Sequence, residues 1–165
     1  MNIPPVIRLR RSAILIPGLL FGTLIWAAIS GGSVWLTAIG QAGGRATLFM
    51  TTLLTAVPLM MIAAGAVAEG LAGQTPPAGW KPSLPYLAGF LAGLCAGCLS
   101  AIESGMTQYL PFIEPGLIPR LAFALGRVIM YMPFVAVLSA LFALFALVGG
   151  YCTYRMRENV GPCKE

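Results

Sequence analysis

The chain has 165 residues, 58% of them hydrophobic and 9% charged, with a formal net charge of +5. A water-soluble domain of this size needs a charged shell that so few ionisable residues cannot form, so a soluble globular protein is excluded. Histidine and aspartate are absent, which removes a Ser-His-Asp triad, a His-ligated metal and an aspartyl dyad.

What remains is a polytopic all-α membrane protein. Uncharged runs cover Ser12 to Gly44, Ala46 to Ala68, Pro82 to Ile102 and Val128 to Tyr154. Each is long enough for a membrane-spanning helix, which needs about 20 apolar residues. Four transmembrane helices are expected, at 12–35, 46–70, 86–110 and 121–151, forming a single helical domain over 1–165. The first begins after Arg8, Arg10 and Arg11, and its small residues Ala28 to Ser30 resemble a signal-peptidase site. The apolar run nevertheless continues to Ile39, longer than a signal-peptide core of about 7–15 residues, so the first span is expected to be retained.

The basic residues set an expected orientation. With four spans both termini share a side, and that side carries Arg8, Arg10, Arg11, Lys81, Arg155, Arg157 and Lys164. The opposite side carries Arg45 and Arg120, with Arg127 slightly inside the fourth span. The excess puts both termini in the cytoplasm, with a bacterial inner membrane as the expected location. The positive charge therefore speaks for topology, and no nucleic acid is expected as a partner. Prolines Pro17, Pro58 and Pro133 fall inside spans. They are read as kinks whose freed carbonyls are satisfied by neighbouring helices.

The third span carries the most informative pattern, "GFLAGLCAGCLSAIESG" from Gly89 to Gly105. At 100° per residue, Gly89, Gly93, Ala96, Gly97, Ser100 and Ser104 fall within about 100° of one another. Small residues at four-residue spacing let two helix backbones approach closely, so this face is expected to pack against another helix. Cys95 and Cys98 lie roughly opposite, beside Leu91, Ile102 and Met106. A Cys-x-x-Cys pair on a helix places both sulfurs on one side, where a soft metal could bridge them. No basic residue lies within a turn, however, and apolar surroundings make a thiol inert. The pair is therefore read as two small hydrophobes, and no metal or cofactor is expected.

Two charges fall inside the third and fourth spans. Glu103 and Arg127 sit at equal distance from Pro115 in the turn between them, which gives them similar depth. An intramembrane charge is costly unless paired, so a Glu103–Arg127 ion pair is expected across the hairpin. The aromatic residues Phe123 and Tyr131 beside Arg127 offer it a cation–π contact instead. Glu69 ends the second span and is expected to be solvated there.

Three functions compete. A non-enzymatic subunit or assembly factor of a larger membrane complex accounts for the small-residue face, the short loops and the lack of a catalytic set. Its partners are the lipid bilayer and other membrane subunits or further copies of itself. An oligomeric carrier or channel for ions or small solutes would use Glu103 and Arg127. A thiol-based metal carrier would use Cys95 and Cys98.

Overall fold

The computed structural model describes residues 5–39, 43–73, 80–107 and 116–160. Among them the regular structure is helical: α1 (Pro5–Ile39), α2 (Gly43–Ala72), α3 (Ser83–Thr107) and α4 (Leu117–Val160). Each contains an apolar segment long enough to cross a membrane: Ser12–Val34, Phe49–Ala72, Ser83–Met106 and Ile118–Asn159.

Local chemistry explains several boundaries. Gly73 follows the last residue of α2 with φ +59°, the left-handed conformation that ends a helix at little cost only when there is no Cβ. Pro85 and Pro119 fall in the first turns of α3 and α4, where a missing N–H leaves no helical bond unmade. The first backbone bonds of these helices run from Tyr86 N–H to Pro82 O and from Arg120 N–H to Gly116 O. Pro17, Pro58 and Pro133 lie inside α1, α2 and α4, which continue through them. The helices also overrun the expected spans. α1 begins at Pro5 rather than near Ser12, and α4 takes Leu117 to Arg120 from the expected turn. Nothing in the chain breaks helical geometry where hydrophobicity ends, so the helix outlasts the apolar span. Residues 108–115, with Tyr109 and Glu114, lie outside the described residues.

The packing order differs from the chain order. α3 packs on α4 and α1, while α2 packs on α4, α1 and α3; among the described residues α1 and α4 do not touch. The ring therefore runs α1, α2, α4, α3, with α2 and α3 meeting across its short diagonal. The core is built mostly from alanine. Ala13, Ala64, Ala68, Ala88, Ala92, Ala143 and Ala146 are fully buried, and Ile25 and Met61 are the large apolar side chains among the fully buried residues. Small side chains bring helix axes close, and dispersion between the backbones then holds helices that lipid would solvate equally well.

Candidate functional site

Begin with the glycine face of α3. A Cβ placed on Gly89 would meet Ala143 and Ala146, one on Gly93 would meet Ser139, and one on Gly97 would meet Val135. Each step of four along α3 moves back four along α4, the signature of an antiparallel pair in close register. Gly105 continues the seam against Ala124. Ala96 is buried, with Ile25 and Met61, in the apolar cluster where α1, α2 and α3 meet. Ser100 lines the cleft described below.

The opposite face of α3 is also an interface. Leu91 and Cys95 pack into space left by Gly18 and Gly22 of α1; a Cβ on Gly22 would stand 2.6 Å from that of Cys95. Here α1 supplies the small residues and α3 the larger ones. Cys95 and Cys98 are free, half-buried thiols. Contacts advance in the same direction along both chains, from Gly18 with Leu91 to Gly22 with Cys95, so α1 and α3 run parallel.

That parallel pairing determines where Glu103 goes. Trp26 Nε1–H donates to Glu103 Oε2 at 2.8 Å, and the Ser30 hydroxyl donates to the same oxygen. Trp26 and Ser30 are four residues apart on α1, so they share one face and present two donors to one carboxylate. Arg127 takes different partners. Its Nη1 donates to Ser104 Oγ at 2.9 Å. Its guanidinium lies 5.5 Å from the Phe123 ring centre and 5.8 Å from that of Tyr131.

The two charges expected to pair thus each have other partners, Glu103 on α1 and Arg127 on α3 and α4. Among the described residues the ion pair within 4 Å is Arg155–Glu158, at 2.6 Å near the end of α4. The two intramembrane charges do stand at similar depth, since Arg127 reaches the residue next to Glu103. The glycine seam directs Ser139 and Ala143 toward α3, which turns Arg127 to the flank, while Glu103 faces α1. Sequence reasoning missed Trp26 and Ser30. Their signal was present, as two side-chain donors one turn apart in an otherwise apolar stretch.

The expectation for Glu69 is corrected. It is fully buried, at 0% exposure, and not solvated at a helix end. Trp80, ahead of α3, and Arg157, near the end of α4, come in beside it. Trp80 meets Tyr151 edge-to-face at 5.2 Å, and Gly150 lies against Pro85. The Glu69 carboxylate lies within electrostatic reach of Arg157 and beside the Trp80 indole. Arg157 also donates to the carbonyls of Glu69 and Gly70, at 3.4 and 3.0 Å. A cation thus caps the C-terminal carbonyls of α2, where the helix dipole is negative.

Among the described residues the bundle has a cleft of about 570 Å³ between α2 and α4. α2 contributes Met50, Leu54 and Val57 as one wall, and α4 contributes Phe134 and Leu138 as the other. Gly93, Gly97 and Ser100 of α3 lie along its floor, and Arg127 is its charged lining residue. α2 and α4 make close backbone contact beyond one end of this cleft. There a Cβ on Gly65 would overlap the Ala146 carbonyl, and one on Gly149 would overlap the Ile62 carbonyl. From that mutual backbone contact the helices diverge toward Met50 and Arg127.

The fold and site define a four-helix bundle of membrane-spanning length with a lateral, apolar, singly charged cleft. Compared with known protein families, curated proteins and solved structures, the chain matches none.

Proposed function

We propose that the protein is a small, non-enzymatic integral membrane protein that serves as a subunit or assembly factor of a larger membrane complex through helix–helix packing. The observation that carries this reading is the middle of α4. Ile129 to Phe134 are six successive exposed residues, so the rest of the bundle leaves much of this part of the helix uncovered. Val137, Leu141, Leu144 and Val148 continue the exposed surface at steps of four, three and four. That is the spacing by which one helix inserts its side chains between those of a neighbour. Within the bundle, Glu103 accepts from Trp26 and Ser30 of α1, an arrangement suited to packing and not to turnover. The basic residues Arg8, Arg10, Arg11, Lys81, Arg155, Arg157 and Lys164 support termini in the cytoplasm and a bacterial inner membrane.

The test is purification of the tagged protein in mild detergent, with a photo-crosslinker at Val137 or Leu141. Stoichiometric foreign subunits that crosslink from these positions are expected. A monodisperse single chain with no crosslinked partner overturns the proposal. A second reading, an oligomeric ion or small-solute carrier using Glu103 and Arg127, draws support from the cleft that reaches Arg127. A lone homo-oligomer with proteoliposome flux abolished by Glu103→Gln is its mark.

A further inference from the structure

We propose that the cleft between α2 and α4 is a binding site for an anionic phospholipid, with an acyl chain along the cleft and the phosphate on Arg127. Arg127 lies ten residues into α4, about 15 Å along the helix. A cation inside an apolar span is costly, and an anion is one partner that offsets the cost. The nearest candidate in sequence depth, Glu103, is turned to Trp26 and Ser30 on α1. Among the described residues no carboxylate stands within 4 Å of Arg127. The described residues thus place a guanidinium at a cavity wall with no carboxylate in ion-pair contact.

The guanidinium is arranged to accept one. It has five N–H donors, and among the described residues its hydrogen bond is the one to Ser104. Phe123 and Tyr131 bracket it from the preceding and following turns of α4. Rings of this kind engage the face of a guanidinium and leave its N–H edge, the part that meets phosphate in a bidentate fork.

The rest of the cleft identifies the source of the phosphate. Apart from Arg127 its polar lining is a few hydroxyls, including Ser100, Ser139 and Tyr131. Met50, Leu54 and Phe134 line it and are themselves 59%, 75% and 67% exposed, so it opens sideways through the apolar surface of the bundle. In a bilayer that side opens onto lipid, which excludes a free aqueous anion. The cleft holds about 570 Å³, within the size range of small-molecule sites.

The test uses the full-length protein, delipidated in mild detergent. Phosphatidylglycerol and phosphatidylcholine of identical acyl composition are titrated separately, and bound lipid is counted by native mass spectrometry. The wild type is expected to hold one phosphatidylglycerol at least about tenfold more tightly than phosphatidylcholine, the factor that charge-assisted hydrogen bonds carry. Arg127→Gln should abolish that preference. Arg127→Lys, which keeps the charge and loses the fork, should retain part of it and covers the case in which the glutamine variant fails to fold. Ser100→Leu, which fills the floor and leaves Arg127 in place, should weaken both lipids. An undiminished preference in Arg127→Gln, equal binding of the two lipids by the wild type, or a co-purifying protein crosslinked to the cleft walls would each overturn the assignment.

Discussion

The two ends of the α2–α4 pair are built on opposite principles. At Gly65 and Gly149 the backbones are in contact, each glycine facing a carbonyl of the other helix. Beyond that point Trp80 and Tyr151 pack together, and Arg157 holds the last carbonyls of α2. Toward Met50 and Arg127 the same helices part, and the space between them is the cleft. The closed end spends its polar and small residues on intramolecular contact. The open end keeps a cation and a row of large apolar side chains. In a membrane, where hydrophobicity alone does not drive helices together, a helix pair is close where small residues permit it and open where they stop.

The strongest way to break this comparison is to push the closed end apart. In Gly65→Leu the new Cβ would fall on the Ala146 carbonyl, where backbone rather than a flexible side chain must yield. Overpacking usually costs about 1–3 kcal/mol, and a backbone obstacle belongs at or above the top of that range. We expect little folded protein in a detergent-stability assay by size exclusion. A Gly65→Leu variant as stable as the wild type would mean that the helices do not meet there.

Much of this architecture can be read in the chain, and the boundary of what can be read is physical. Four spans follow from the absence of charge over long runs. The spacing of Gly89, Gly93 and Gly97 marks one face of α3 without any knowledge of its partner. Contacts between helices distant in sequence leave weaker marks. Hairpin logic pairs α3 with α4 and so directs Glu103 to Arg127. It has no access to α1 lying beside α3, which is what brings Trp26 and Ser30 to the carboxylate. Glu69 misleads for the same reason, because its burial depends on Trp80 and Arg157 arriving from two other segments. Gly65 and Gly149 look unremarkable separately, and their role exists only in the pair.

The polar contacts sharpen the comparison at intermediate strength. Glu103→Ala leaves the Trp26 N–H and the Ser30 hydroxyl without their shared acceptor, in a half-buried setting. An abandoned buried donor costs about 1–3 kcal/mol, so a loss of about 2 kcal/mol is expected in an SDS-unfolding titration followed by tryptophan fluorescence. Glu103→Gln retains a carbonyl oxygen and should lose less than half as much. Equal losses would show that the negative charge, and not the hydrogen bonds to α1, is what Glu103 contributes. Arg157→Gln at the closed end should cost about 1 kcal/mol in the same titration, since it removes a charged donor from helix-terminal carbonyls. If it costs nothing, solvent caps α2 and the closed end is held by glycine alone.

The smallest effect tests whether the open end is empty or occupied. Gly126 sits beside Arg127 in α4, and a Cβ there would meet nothing within 4 Å. Within this chain Gly126→Ala should therefore be free of clash and should gain about 0.5–1 kcal/mol from the lower backbone entropy of alanine in a helix. The gain should appear in delipidated, partner-free protein. Gly126→Leu should also be tolerated there, because the open space accepts a larger side chain. Were Gly126→Leu to fold normally when purified alone and then fail to recover the lipid or subunits that the wild type retains, the glycine would be reserved for an occupant outside the chain. If alanine at this position destabilises the isolated protein, α4 is not standing free there, and the contrast between the two ends is smaller than the glycine contacts imply.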